Sequence, residues 1–194
     1  QAEVPALPEL GIIFQRPGDI VVSVRQGSLD FGITGLDVIE EKRGPNGDVL
    51  VLHDGLGFGS CALMLAVPEA WKQVSDLPSL KSFAASLDRP LRVATKFVTL
   101  ARRFFADHGI ADYRIIESLG ATEGAPAAGT AEVIVDITTT GATLTANELK
   151  ILDDGALRFT GSKGQIFQSA VACTGDLQAL VCQHHDQGLQ IDPS

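Results

Sequence analysis

Short apolar runs alternate with amphipathic segments along the chain, which indicates an α/β architecture. The runs that predict strands end in polar or turn-forming residues and lie at positions 9–14, 30–34, 49–52, 61–67, 91–95, 113–117 and 133–136, with further strands at 156–160 and 166–173. Predicted helices lie between them, at 18–26, from 35 onward, at 79–87 and at 99–108, and short helices are expected after 118 and after 141.

The helix predicted at 99–108 has the clearest amphipathic period. Leu100 and Phe104 define its inward face, which Ala101 and Phe105 widen. His108 precedes a glycine, so it is interpreted as the end of this helix rather than as a catalytic residue.

Candidate functional residues lie where predicted strands end. They are Thr34, Lys96, Glu123 and the loop 136–143. Because ligands of open α/β sheets bind beyond the carboxyl ends of the strands, these positions are expected to share one cleft.

The last of these positions is the most informative. An apolar run ends in Asp136, and a loop containing Thr139, Thr140, Gly141 and Thr143 leads into a helix-like segment. Unpaired backbone N–H groups and hydroxyls at such a joint can hold the phosphate of a phosphorylated sugar, and Asp136 can accept hydrogen bonds from ribose hydroxyls or lie near a metal. A plain strand–turn–helix joint with capping threonines is the alternative.

Two other motifs are weaker. The glycine-rich stretch 54–60 resembles a nucleotide-binding loop, but no helix pattern follows it, so a flexible connection near a cleft is the preferred interpretation. The cluster of Cys182, His184, His185 and Asp186 matches no strong zinc spacing and is interpreted as a polar tail.

Composition narrows the class of protein. The 194 residues, 45% of them hydrophobic, suit one large domain or two small lobes. A net charge of −9 argues against non-specific nucleic-acid binding, and no apolar run approaches the ~20 residues of a membrane span. The three widely spaced cysteines favour reduced thiols and a cytoplasmic location over a disulfide framework.

Five separate segments of the chain, taken in their order along the sequence, carry a resemblance to a known family. They are DFGITGLDVI (30–39), FGSCALMLAVP (58–68), RVATKF (92–97), GATEGAP (120–126) and VDITTTGATLTAN (135–147). Together they resemble the catalytic region of the ATP phosphoribosyltransferase family in its short form, over residues 10 to 157. The last segment is the most specific.

The resemblance implies a two-lobed fold like that of type II periplasmic binding proteins, with the ligand cleft between the lobes. Lobe I would comprise 1–67 and 157–194, and lobe II would comprise 68–156 with the phosphoribosyl-binding loop. The implied reaction transfers the phosphoribosyl group of 5-phosphoribosyl diphosphate to N1 of ATP and releases diphosphate, which is the first step of histidine biosynthesis.

The resemblance also implies roles for individual residues. Asp136, Lys96 and Glu123 would be catalytic, and the nucleotide would meet Thr34 and Asp37 together with Lys96 and Glu123. Phosphoribosyl diphosphate would be bound by Asp136 and by the loop residues Thr138, Thr139, Thr140, Gly141, Ala142 and Thr143. Mg²⁺ would be held mainly by substrate oxygens rather than by a set of protein ligands.

The chain departs from the family pattern in places. The family opens with a strand and a Lys-Gly-Arg-type segment for which this chain shows no counterpart, Ala62 stands where an arginine is frequent, and Val98 replaces a proline. The short form implies a homo-oligomer or a complex with a regulatory subunit resembling histidyl-tRNA synthetase. Three alternatives remain: a non-catalytic anion-binding protein of this fold, a phosphoribosyltransferase for another base, and a pseudoenzyme subunit that serves assembly.

Overall fold

The computed structural model describes residues 2–45, 47–53, 56–157 and 168–173. The chain divides into two compact units. Unit 1 consists of Gln1–Leu56 and Gln168–Ser194, and unit 2 consists of Gly57–Phe167. The expectations for Cys182 to Asp186 and for 158–167 fall outside the described residues.

The described residues of unit 1 form two small sheets and two helices. Strands β1 (Ala2–Val4) and β2 (Leu7–Ile12) form an antiparallel pair. A second sheet has the order β3–β10–β4, formed by β3 (Phe31–Gly35), β10 (Gln168–Cys173) and β4 (Val49–His53), with β10 antiparallel to both neighbours. Helices α1 (Pro17–Arg25) and α2 (Leu36–Lys42) supply the buried residues Val21, Val24, Leu36 and Ile39.

Unit 2 is built on a five-stranded mixed sheet in the order β7–β6–β8–β5–β9. Its strands are β5 (Ala62–Pro68), β6 (Leu91–Thr95), β7 (Tyr113–Glu117), β8 (Val133–Thr138) and β9 (Leu149–Leu157). β6 is parallel to β7 and β8, whereas β5 is antiparallel to β8 and β9. The carboxyl ends of β6, β7 and β8 therefore meet at one edge of the sheet.

Helices connect these strands. They are α3 (Leu77–Ala85), α4 (Val98–Asp107), a 3₁₀ helix (Thr122–Gly124) and α5 (Ala142–Ala146). Asp76 begins α3 through a capping box, because its carboxylate accepts the N–H of Ser79 at 2.8 Å. In α4 the predicted inward residues Leu100, Ala101, Phe104 and Phe105 are all buried, and the helix ends at His108 as expected.

Most predicted elements are confirmed, one strand was missed and another begins earlier than predicted. β1 was not predicted, and β9 begins at Leu149 rather than at 156. The expected lobe boundary at Pro68 lies inside unit 2, because the strand it would end, β5, pairs with β8 and β9 along its length. Within the described residues, no helix combines the length and apolar character that crossing a membrane requires.

Candidate active site

Three predicted site residues lie at the edge of unit 2 where its parallel strands end. Lys96 directly follows β6, Glu123 lies in the 3₁₀ helix after β7, and Asp136 belongs to the last half of β8. β6 lies between β7 and β8 in the sheet. The strand order, which no local pattern reveals, thus places these chemically distinct side chains along one edge.

Lys96 and Asp136 are brought into direct contact. Lys96 Nζ lies 3.4 Å from Asp136 Oδ1, and the two side chains are 43% and 15% exposed. The same Oδ1 accepts the backbone N–H of Ile137 at 2.8 Å. Lys96 Nζ also lies 5.2 Å from the ring centroid of Phe97, within the range of a cation–π contact. A cation and a carboxylate accessible to solvent are therefore held side by side.

The loop after β8 has a defined turn geometry. Gly141 has φ +75°, in the left-handed region, and immediately precedes α5. Its N–H donates to Thr138 Oγ1 at 2.8 Å, and the N–H of Ala142 donates to Thr140 Oγ1 at 3.3 Å. Two amides of the loop are thus satisfied by its own threonines.

A shared hydrophobic cluster supports the loops on this edge. Leu144 of α5 is buried together with Ala94 of β6 and Ile134 of β8, and Ala125, which follows the 3₁₀ helix, packs against the same cluster. The loop that carries Glu123 and the loop that carries Gly141 therefore rest on one core, which restrains the position of one relative to the other.

Glu123 is half-buried at the start of the 3₁₀ helix. The turn before it is restrained: Ala121 has φ +48°, and the buried Thr122 donates a hydrogen bond from Oγ1 to Ser118 Oγ at 3.2 Å. Glu123 therefore shares the sheet edge with Lys96 and Asp136, although the close ion pair joins the latter two.

The structure places Thr34 and Asp37 in unit 1. Thr34 is buried near the end of β3, and its hydroxyl donates to the carbonyl of Pro17 at 3.3 Å. Asp37 is buried in the first turn of α2. Thr34 uses its hydroxyl inside unit 1, so a nucleotide contact from it stays a prediction.

One residue of this edge was missed by the sequence analysis. Thr95 is fully buried at the end of β6, and its hydroxyl makes hydrogen bonds to the carbonyl of Val135 in β8 and to the N–H of Phe97, two residues further along the chain. A threonine directly before the candidate Lys96 was the available signal, but β-branched residues are common in strands for reasons of packing alone.

The fold and this edge define a class: an α/β protein of the two-lobed type II binding-protein kind, with polar groups beyond the ends of parallel strands. The periplasmic aliphatic sulphonate binding protein SsuA from Escherichia coli has the same fold, with a TM-score of 0.55, 14% identity, and coverage of 88% of this chain and 54% of that one. The chain belongs to the ATP phosphoribosyltransferase family, whose model matches residues 16–169.

Relatives within that family are close in sequence. The ATP phosphoribosyltransferase of Rhodopseudomonas palustris (strain BisA53) is 48% identical over 158 residues, which cover 79% of this chain and 49% of the relative. That of Caulobacter vibrioides (strain NA1000 / CB15N) is 48% identical over 160 residues, or 80% of this chain and 50% of the relative. The chain thus spans about half the length of the curated relatives it matches.

A solved relative supports the fold assignment. The ATP phosphoribosyl transferase (HisG:HisZ) complex from Thermotoga maritima aligns with a TM-score of 0.67 and 26% identity, over 89% of this chain and 73% of that chain.

Proposed function

We propose that this chain carries the catalytic site of an ATP phosphoribosyltransferase, which joins 5-phosphoribosyl diphosphate to N1 of ATP and releases diphosphate. Family membership over residues 16–169 supports the reaction class. The single observation that carries the assignment of the site is the 3.4 Å contact between Lys96 and Asp136 beside the loop 138–143.

The reaction separates charge at the anomeric carbon of the ribose. The bond to diphosphate breaks while N1 of adenine forms the new bond, so the transition state has positive charge on the sugar and growing negative charge on the leaving group. Lys96 supplies a cation for the diphosphate, and Asp136 supplies a carboxylate for the ribose. The ion pair with Lys96 and the hydrogen bond from Ile137 both involve Oδ1 of Asp136, so we assign Oδ2 to accept the ribose hydroxyls.

The 5-phosphate is assigned to the loop after β8. Its donors would be the N–H groups of Gly141 and Ala142 and the hydroxyls of neighbouring threonines. In the chain without ligand, Thr138 and Thr140 accept from those two N–H groups. On binding, the phosphate would replace the two hydroxyl oxygens as acceptor of these N–H groups, and each hydroxyl would rotate to donate to the phosphate. The threonines thus satisfy the two amides when no phosphate is bound.

Mg²⁺ suits this site as a partner of the substrate. The described residues contain no group of three or more His, Cys, Asp or Glu side chains that could hold a metal, and the Asp136 carboxylate is already paired with Lys96. A hard cation of this kind would therefore take most of its ligands from diphosphate oxygens and water. When bound, it neutralises charge on the leaving diphosphate.

Contacts to the nucleotide are assigned to Glu123 and Lys96, and the contacts expected from Thr34 and Asp37 stay predictions. Assembly with a regulatory subunit of the HisZ type is proposed from the complex formed by the Thermotoga maritima relative. A homo-oligomer is the other expected state. A cytoplasmic location would follow from the use of ATP as a substrate.

Calorimetry and diphosphate release test the proposal. Phosphoribosyl diphosphate with Mg²⁺ should bind the chain saturably, and adding ATP should release diphosphate, whereas other nucleotides should not replace ATP. Asp136→Ala should abolish binding and leave the thermal unfolding transition in place. Asp112→Ala is the matched control, because this exposed acid directly precedes β7 and so lies at the amino ends of the parallel strands, opposite the candidate site.

The outcomes separate the competing functions. Equal affinity in the wild type and Asp136→Ala would refute the site. Binding without diphosphate release, with the regulatory subunit present, would favour the non-catalytic binding protein, and release with a base other than adenine would favour another phosphoribosyltransferase.

A further inference from the structure

The side chain of Thr95 connects the two strands that carry the ion pair. Thr95 is 0% exposed at the last position of β6. Its Oγ1 donates to the carbonyl oxygen of Val135 at 2.7 Å and accepts the backbone N–H of Phe97 at 2.9 Å. The first bond reaches the peptide group immediately before Asp136, and the second fixes the residue immediately after Lys96.

The main chain of Thr95 adds a third connection. Its carbonyl oxygen accepts the N–H of Ser118 at 3.0 Å, at the start of the loop that follows β7 and leads to Glu123. One buried residue therefore forms hydrogen bonds to β8 immediately before Asp136, to the residue immediately after Lys96 and to the start of the loop that leads to Glu123.

We propose that Thr95 is a positioning residue for phosphoribosyl diphosphate: its hydroxyl sets the geometry of Lys96 relative to Asp136. This inference rests on the proposed function of the same site. Thr95 is the last residue of β6 that pairs with β8, so the position of the Lys96 side chain depends on what restrains the chain just beyond that pair. The Thr95 hydroxyl supplies that restraint through its hydrogen bonds to Val135 and Phe97. Lys96 lies between Thr95 and Phe97 in the chain, so both of its neighbours are fixed.

The hydroxyl of Thr95, rather than the volume of its side chain, sets the geometry of Lys96 relative to Asp136. Valine has the shape and the strand propensity of threonine but can neither donate to Val135 nor accept from Phe97. Serine keeps both hydrogen bonds and loses only a methyl group. A role in positioning therefore predicts that Thr95→Ser resembles the wild type and that Thr95→Val does not, whereas a role in packing predicts the reverse.

Binding of phosphoribosyl diphosphate with Mg²⁺ to the 194-residue chain, measured by calorimetry, tests the inference. A small displacement of reactive groups weakens an active site strongly, so Thr95→Val should lower the affinity about 10- to 100-fold. Thr95→Ser should restore most of it. Val93→Ala is the control for packing, because Val93 is 0% exposed on the same face of β6. It should lower the unfolding temperature without changing the affinity.

Amide hydrogen exchange at Phe97 provides a readout that does not depend on the substrate. Exchange should be faster in Thr95→Val than in the wild type and should return toward the wild-type rate in Thr95→Ser. Unchanged exchange at Phe97 in Thr95→Val overturns the inference, whether or not the wild type binds phosphoribosyl diphosphate.

The affinities of the variants and of the wild type for phosphoribosyl diphosphate provide the second test. Wild-type affinity in Thr95→Val, or an equal loss of affinity in Val93→Ala, also overturns the inference while leaving the proposed function intact. Failure of the wild type itself to bind phosphoribosyl diphosphate refutes the proposed function and, with it, the substrate named in the inference.

Discussion

Glu132, which directly precedes β8, accepts hydrogen bonds from both the backbone and the side chain of Arg92 in the neighbouring strand β6. The backbone N–H of Arg92 donates to Glu132 Oε2 at 2.8 Å, and its Nε donates to Oε1 at 3.0 Å. Arg92 Nη2 also donates to Oε1, and Arg89 adds a fourth donor, with Nη1 2.8 Å from Oε1. Glu132 thereby fixes the start of β8 against the start of β6.

The same two strands carry a second ion pair at their other ends, between Lys96 and Asp136. The two pairs differ in how fully they are satisfied. Several donors converge on the Glu132 carboxylate, whose side chain is 10% exposed, whereas Lys96 is 43% exposed and approaches Asp136 at 3.4 Å. The first pair stabilises the register of β6 and β8, whereas the second leaves the Lys96 cation partly exposed to solvent.

Glu132 should make the fold sensitive to acid. Burial opposes ionisation of its carboxylate, but hydrogen bonds from Arg92 and Arg89 outweigh it and lower the pKa from 4.5 to about 2. Because the pKa is lower in the folded state, the stabilisation is complete above pH 4.5 and is lost as the pH falls toward 2. Glu132→Gln should reduce the free energy of unfolding at neutral pH by about 1–3 kcal/mol. The difference from the wild type should shrink across that pH range in urea unfolding measurements.

Glu69→Gln is the matched control for this experiment. Glu69 pairs with Lys72 at 3.5 Å, but the two side chains are 56% and 75% exposed. Exposed pairs of this kind contribute about 0–1 kcal/mol, so the variant should unfold like the wild type at every pH. A Glu132→Gln variant as stable as Glu69→Gln at pH 7 would contradict the role given to Glu132.

Lys96 should matter for ligand binding far more than for stability. Lys96→Met removes the cation beside Asp136 and should weaken binding of phosphoribosyl diphosphate about 10- to 100-fold, as expected for loss of a charged hydrogen bond. The free energy of unfolding should change by less than about 1 kcal/mol, because the pair is partly exposed. Calorimetry and urea unfolding measure the two quantities. Lys72→Met, which removes another surface cation, should change neither.

Sequence patterns predicted where the site residues lie but not how they pair. Lys96 and Asp136 could be assigned to strand ends, and strand ends of parallel neighbours meet at one edge. Their contact depends on β6 lying next to β8, and the residues of these strands pair about forty positions apart, as Thr95 does with Val135. Long-range pairing of this kind leaves no local periodicity to detect.

The missed start of β9 has a different physical cause. The sequence Asp153-Asp154-Gly155 is typical of a turn, yet it lies inside the strand. Tertiary contacts override the local preference, because the N–H of Asp153 donates to the carbonyl of Ser75 at 3.0 Å and Asp154 Oδ1 accepts the N–H of Leu77 at 2.8 Å. The two acids thus serve the start of α3 rather than a turn.

Gly155 should be intolerant of any side chain for steric reasons. A Cβ at this position would lie 3.0 Å from Leu152 Cβ and 3.0 Å from the carbonyl oxygen of Leu65. Backbone atoms cannot rotate away, so Gly155→Ala should lower the free energy of unfolding by about 1–3 kcal/mol in urea titrations. Gly11→Ala is the control, since a Cβ there meets nothing within 4 Å. Equal stability of the two variants would show that β9 relaxes around the added carbon.

Gly141 should be required because of its backbone conformation rather than because a larger side chain would clash. A Cβ there would meet only Ile151 Cδ1 at 3.8 Å, an ordinary contact, but the φ of +75° is strained for alanine. Gly141→Ala should therefore reduce the free energy of unfolding by about 1–2 kcal/mol or shift the loop to negative φ. Either response moves the N–H groups assigned to the 5-phosphate, so binding of phosphoribosyl diphosphate should fall as well. Asparagine, which adopts this conformation more readily, should retain more binding than alanine.

Gly129 separates the backbone effect from the effect on binding. Its φ is +67° and a Cβ would meet nothing within 4 Å, so Gly129→Ala carries the same kind of strain at a position before β8. Both alanine variants should lose similar stability in urea unfolding, and only Gly141→Ala should lose affinity in calorimetry. Equal affinities in the two variants would remove the loop after β8 from the phosphate site and leave its threonines as caps of α5.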